Sequence, residues 1–147
     1  RQFENLNEGK VYPYKYDRRH DISVVVNHQF NSKIDIGVSW VYNTGNAFTA
    51  PEAFYYAPNF IGYHSEIFRY TSRNELRLPA YHRLDVGINF HKQKKWGERI
   101  WNISFYNAYN RRNPMFIYSN YYHGAGTKFF QASLFPIIPS FSYIFKF

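Results

Sequence analysis

The sequence predicts an all-β protein, an antiparallel transmembrane β-barrel to which this chain supplies about the last five strands. Three observations carry that expectation. Apolar residues recur at every second position in five separate segments, the period at which a strand turns its side chains to one face. The last of these segments stays apolar and aromatic on that face up to the final residue, through Phe135, Ile137, Phe141, Tyr143, Phe145 and Phe147. In a soluble protein such an exposed strand invites pairing with other chains, whereas a closed barrel sets it against hydrocarbon. Finally, aromatic residues make up 22% of the chain, yet no stretch approaches the ~20 consecutive apolar residues of a membrane helix. A crossing is therefore made by strands.

The first alternating segment sets Ile22, Val24, Val26 and Phe30 against Ser23, Asn27 and Gln29, with Val25 as the exception, and Asn31 and Ser32 supply a turn. The second is the cleanest: Ile34, Ile36, Val38, Trp40 and Tyr42 oppose Lys33, Asp35, Gly37, Ser39 and Asn43. In the third, Leu84, Val86, Ile88 and Phe90 oppose Arg83, Asp85, Gly87 and Asn89, and a polar stretch from His91 to Arg99 follows. The fourth places Trp101, Ile103 and Phe105 opposite Asn102, Ser104 and Tyr106 until Asn107 breaks the row, as a bulge or an exit from the membrane does. In the terminal segment Ser140, Ser142 and Lys146 alternate with the aromatics, interrupted by Ile144, and Gly124 to Thr127 is the turn before it. Strands are expected at about 18–30, 33–46, 76–91, 99–121 and 128–147, within one barrel domain spanning 1–147.

Each clean alternation is about as long as the ~9 to 11 tilted residues of a membrane-crossing strand. Five strands do not close a barrel, and bacterial single-chain barrels have an even number from ~8 upward. The remaining strands are expected upstream, and the start at Arg1 without a Met or signal sequence fits a piece of a longer polypeptide. Short connections after Phe30 and around Lys92 to Glu98 contrast with the long one at about 47–75. Outer-membrane barrels keep short turns at the periplasmic end, so Phe147 is expected on the periplasmic side and Asn46 to Asn74 and His123 to Thr127 outside.

The net charge is +8. Arg18, Arg19, Arg77, Arg111 and Arg112 fall near the expected outer strand ends, where guanidinium groups pair with lipid phosphates or simply remain solvated. Lys92, Lys94, Lys95 and Arg99 mark the periplasmic turn. A nucleic-acid partner is not expected, because the cations cluster at strand ends rather than alongside aromatics on one strand face. With no cysteine there is no disulfide framework and no thiolate ligand or nucleophile. The six histidines (His20, His28, His64, His82, His91, His123) lack the spacing of a local metal motif. Asp21, Asp35 and Asp85 come from separate strands and suit contacts with Lys33, Arg83 or a plug better than acid–base chemistry. Gly124 to Lys128 lacks the spacing of a phosphate loop. Neither a catalytic residue, a cofactor nor a metal is expected, and the chain does not read as an enzyme.

The stretches from Arg77 (RLPAYHRLDVGINFHKQKKWGERIWNISFYNAYNRRNPMFIYS), from Tyr12 (YPYKYDRRHDISVVVNHQF) and at the end (SLFPIIPSFSYIFKF) resemble the C-terminal barrel strands of TonB-dependent outer-membrane receptors of the Bacteroidetes type. The resemblance covers most of the chain and is least definite from 46 to 75. It implies a 22-stranded barrel with an N-terminal plug, active import of a scarce nutrient driven through the TonB complex, and an outer-membrane location. Its partners are then the upstream barrel and plug, TonB through the upstream part, outer-membrane lipid, and in some systems a surface lipoprotein. It also implies that Phe141, Tyr143, Phe145 and Phe147 match the terminal signal read by the barrel-assembly machinery, whether or not they also pack against lipid.

The long connection is dense in aromatics, including Phe48, Phe54, Tyr55, Tyr56, Phe60, Tyr63, Phe68 and Tyr70. Such rings offer large contact area at low entropic cost; Phe54, Tyr55, Tyr56, Phe60 and Tyr63 are the candidate contacts with a ligand or partner, and packing between loops is the other account. Three other readings share part of this pattern. They are a passive porin or adhesin-like barrel, a soluble carbohydrate-binding β-sandwich with its aromatic rows buried against a second sheet, and an outer-membrane enzyme.

Overall fold

The alternation is realised as strand pairing. The computed structural model describes residues 7–51, 53–58, 64–70, 72–122 and 126–147. After a short 3₁₀ turn at Asn7–Gly9 come β1 (Asp21–Asn31), β2 (Ile34–Asn43), β3 (Ala47–Phe48), β4 (Ala53–Pro58), β5 (His64–Arg69), β6 (Leu76–Arg77), β7 (Tyr81–Lys94), β8 (Gly97–Tyr106), β9 (Pro114–Tyr122), β10 (Gly126–Ser133) and β11 (Ile138–Lys146). The protein is all-β, every strand pairing is antiparallel, and there is no α-helix among the described residues.

Five strands form one sheet in the order β1-β2-β7-β8-β11, and β3/β6, β4/β5 and β9/β10 form separate two-stranded ribbons. The sheet is open, not a closed barrel: among the described residues β1 and β11 each pair on one side only. The residues expected as one strand at 99–121 are divided between β8 and β9, and those at 128–147 between β10 and β11. Asn107 is the point of division. It has a φ of 52°, a left-handed conformation that Asn tolerates better than most residues, and the chain leaves the sheet there through a turn. Asn107 thus marks an exit from the five-stranded sheet.

Both tight turns lie at the same end. Asn31 Oδ1 accepts from the backbone N–H of Lys33 at 2.8 Å and Ile34 at 3.0 Å, an Asx turn that joins β1 to β2. Lys95 and Trp96 join β7 to β8, where Lys94 pairs with Gly97. Gly97 has a φ of 149°, and a Cβ built there stands 2.0 Å from the carbonyl oxygen of Lys146, so the end of β11 packs where only glycine fits. The described residues of the connections 44–80 and 107–137 occupy the opposite end.

Pairing register keeps like with like. On one face the rows run Val26–Val38–Val86–Phe105–Pro139 and His28–Ile36–Ile88–Ile103–Phe141, bordered by Phe90–Trp101–Tyr143 at the turn end and by Trp40, Tyr42 and His82 at the loop end. On the other lie Gln29–Asp35–Asn89–Asn102–Ser142 and Asn27–Gly37–Gly87–Ser104–Ser140. Ile144, the apolar exception of the terminal segment, pairs with Ile100, another apolar residue on that polar face.

The apolar face is not covered by a second layer among the described residues. Among the described residues the only buried apolar side chains are Ala47 and Ile100, neither of them on that face, while Phe141 is 73% exposed and Trp101 56%. The chain exposes 11653 Å² for its 17.7 kDa, against about 7,900 Å² from the mass scaling of globular monomers. A sheet with one side uncovered and both edges open contributes to the excess of roughly 3,700 Å² on that scaling.

Candidate functional site

The polar face is a cross-strand hydrogen-bond network rather than a set of separate solvated groups. Antiparallel register sets Asp35, Asn89, Asn102 and Ser142 side by side, one from each of four strands. Asn89 Nδ2 donates to Asp35 Oδ1 at 3.0 Å, Asn102 Nδ2 to Asn89 Oδ1 at 2.7 Å, and Ser142 Oγ to Asn102 Oδ1 at 3.4 Å. Glycines 37 and 87 share this face, and a Cβ at Gly37 stands 3.1 Å from Asn27 Oδ1, so the row beside the network is held low. Toward the loop end, Arg83 binds Asp85 Oδ2 at 2.9 Å, donates to the hydroxyls of Tyr81 at 3.0 Å and Tyr106 at 2.6 Å, and stacks 4.1 Å from the Tyr106 ring centroid. Asp85 Oδ1 accepts from the backbone N–H of Asn107 at 2.9 Å.

At the turn end, beyond the apolar rows, His91 bridges two carboxylates. Its Nδ1 lies 2.7 Å from Glu98 and its Nε2 3.2 Å from Asp35. Both ring nitrogens donate only in the imidazolium form. The bond to Glu98, then that to Asp35, accordingly raises the His91 pKa above its ordinary 6.5. The same bond to His91 holds Glu98 below the ordinary carboxylate value. Lys146, 3.7 Å from Glu98, adds the terminal strand to the cluster.

The loop end is built on buried amides. Asn107, 1% exposed, donates from Nδ2 to the carbonyls of Arg111 at 2.9 Å and Phe135 at 3.0 Å, and its Oδ1 accepts from the Arg111 N–H at 3.0 Å. It thereby ties the exit of β8 to the approach to β11. Asn113 exchanges two bonds with the backbone of His82, and Asn74 links Thr49 to the carbonyl of Pro13. Asn74 also lines a cleft of about 990 Å³, together with residues that include Tyr16, Phe48, Tyr70, Arg73 and Phe116. Lys15 also lines it, and no described lining residue is acidic.

The residues singled out in the sequence fall as follows. Of the loop aromatics, Tyr55 is half-exposed on β4, Phe54 and Tyr56 belong to the same strand, and Phe60 and Tyr63 lie outside the described residues. Three of the five arginines are engaged within the chain. Arg18 donates to Asn43 and Asn46 at 2.7 and 2.8 Å, Arg77 binds Asp17 and the carbonyl of Gly45, and Arg111 reaches the carbonyl of Ala80 at 3.0 Å. Arg19 and Arg112 are held by backbone groups, the first through its N–H to Thr44 and the second through its carbonyl to Gln131. Phe141, Tyr143, Phe145 and Phe147 share the exposed apolar face, with Tyr143 4.8 Å from the Trp101 ring and Phe145 6.2 Å from Phe147. Among the described residues no group of three or more His, Asp or Glu side chains is placed to hold a metal ion. Sequence reading missed the cleft, whose lining comes from five separated stretches, and it missed the structural role of Asn74, Asn107 and Asn113; at 74 and 107 the backbone takes a positive φ, which Asn accommodates better than most residues. No protein-family profile matches this chain, and no curated protein or solved structure matches it.

Proposed function

We propose that this chain is the C-terminal part of the wall of an outer-membrane β-barrel that imports a specific nutrient in a TonB-dependent manner. The observation that carries the reading is the two-sided sheet: five strands expose one continuous apolar, aromatic-bordered face and turn a hydrogen-bonded polar network to the other side. From the Phe90 row to the His82 row is eight residues, about 27 Å along a strand and about 21 Å along the membrane normal at a ~40° tilt. That is close to the ~25 Å apolar band of outer-membrane barrels with its aromatic girdles. In this reading the polar network faces the lumen or plug, the tight turns and Phe147 lie in the periplasm, and the aromatic cleft, which Lys15 and Arg73 also line, opens outside the cell, where a ligand arrives.

Mass spectrometry of the purified assembly tests the reading. A copurifying upstream polypeptide carrying a plug and the remaining strands is the expected result. An upstream barrel without a plug points instead to a passive pore, and a monodisperse 17.7 kDa species that needs no detergent contradicts a membrane barrel altogether.

A further inference from the structure

One pairing row below the Phe90–Trp101–Tyr143 border, the register sets Lys92 directly opposite Arg99. By alternation both stand on the apolar side of the sheet, and Lys94 follows Lys92 on that side, opposite Gly97. Like charges directly opposed across a strand pair are destabilising. The neighbouring carboxylate, Glu98, is on the other face and is taken by His91 and Lys146. Among the described residues none of Lys92, Lys94 and Arg99 forms an ion pair. The charge-balancing anion is not supplied by these residues. Beside the cations, Trp96 sits at the tip of the turn with 86% of its surface exposed, and the Arg99 guanidinium lies 6.0 Å from the ring centroid of Phe145. An exposed Trp next to cations at the border of an apolar band is the arrangement of a membrane–water interface.

We propose that Lys92, Lys94 and Arg99, flanked by Trp96, bind the phosphodiester head group of an anionic phospholipid whose acyl chains lie along the Phe90–Trp101–Tyr143 row. The proposal rests on the barrel reading and adds to it a head-group site in the periplasmic leaflet. The chemistry recognised is a phosphate; the adjoining apolar row selects the lipid over a free phosphate ester. The three cations are disposed toward the side from which an acyl-bearing phosphate approaches, unlike Arg18, Arg77 and Arg111, whose guanidinium groups bond to acceptors within the chain.

The test is native mass spectrometry of the intact detergent-solubilised assembly offered equal concentrations of dioleoylphosphatidylglycerol and dioleoylphosphatidylcholine. The expected result is preferential retention of phosphatidylglycerol, with the preference falling about fivefold for each cation removed in Lys92→Gln and Arg99→Gln. Lys92→Glu separates the site from the fold: it sets opposite charges across the pair, so the melting temperature is maintained or rises while the lipid preference falls. Equal retention of the two lipids, or an unchanged preference in the three variants, overturns the proposal. Equally tight binding of glycerol 3-phosphate also overturns it, by assigning the cluster to soluble phosphate esters. An assembly that takes up both lipids without preference leaves the barrel reading standing, whereas one that disperses without detergent and retains neither lipid removes both.

Discussion

Val86 is the position at which the two-sided sheet makes its sharpest quantitative demand. It stands four residues from Phe90 and four from His82, midway between the aromatic borders, in the row Val26–Val38–Val86–Phe105–Pro139. At ~3.4 Å per residue and a ~40° tilt, roughly 10 Å of hydrocarbon separates it from either interface. An arginine there costs about 2–4 kcal/mol, and one at the border about 0–1 kcal/mol. The folding constant of Val86→Arg is therefore expected to drop roughly 30- to 700-fold at ~1.4 kcal/mol per decade. Phe90→Arg, at the border, is expected to lose far less to depth. Ser39→Arg is the control on the polar face, opposite Asp85, where the added cation meets a carboxylate and changes stability by less than about 1 kcal/mol. Urea titrations of the assembly refolded into lipid vesicles, followed by heat-modifiable gel mobility, give the three values on one scale. A Val86→Arg cost no greater than that of Ser39→Arg would refute the reasoning, since it removes the distinction between the faces.

Further consequences follow from the polar side and the turns. Asn107→Ala strands the Arg111 N–H and two carbonyls and forces alanine into a φ of 52°; a loss of about 2–4 kcal/mol is expected, with Asn107→Gly recovering about 1 kcal/mol of backbone strain, and a urea midpoint within error of the parent contradicts the role assigned to this amide. Gly97→Ala drives a methyl into the Lys146 carbonyl and is expected to cost about 1–3 kcal/mol, read as earlier loss of hydrogen-exchange protection at β11 than at β2. The His91–Glu98 bridge predicts a pH window. His91 has its pKa raised, so its contribution is complete below its ordinary 6.5 and is lost as the pH climbs through the folded value; Glu98 has its pKa lowered, so its contribution is complete above its ordinary 4.5 and is lost on acidification. The bridge is strongest between about 4.5 and 6.5, and His91→Gln is expected to flatten the pH dependence of the unfolding midpoint across neutrality; a variant profile that keeps the parent's slope contradicts it.

Much of the sheet was legible because a period of two assigns every residue of a strand to a face at once. Ile34 through Tyr42 reads unambiguously, and its partner Leu84 through Phe90 and the strand beyond that, Trp101 through Phe105, repeat the pattern, so which residues share a face follows without knowing which strands pair. The tight turn after Asn31 was equally readable, since its signal is local. What escaped depends on contacts far apart in sequence. The aromatic residues within 114–122 and 126–133 do not reveal that the chain leaves the main sheet at Asn107, because the amide closing that turn bonds to Phe135, 28 residues away. Arginines near strand ends look alike in sequence, yet Arg77 is committed to Asp17, 60 residues upstream, while Arg99 faces another cation. The cleft joins the segment around Tyr16 to those around Phe48, Tyr70 and Phe116, and no local pattern reports such a convergence.

The most direct test of the central claim is a single-cysteine scan along β2, for which the chain's lack of native cysteine is convenient. Nitroxide labels at 34–42 in the vesicle-embedded assembly are read for collision with oxygen, which concentrates in lipid, and with a water-soluble nickel chelate. Labels at Ile34, Ile36, Val38, Trp40 and Tyr42 are expected to favour oxygen, and those at Asp35, Gly37, Ser39 and Val41 the chelate, in strict alternation. Shielding of the apolar row from both reagents contradicts the account, because that is the signature of a face packed against protein and not against a bilayer.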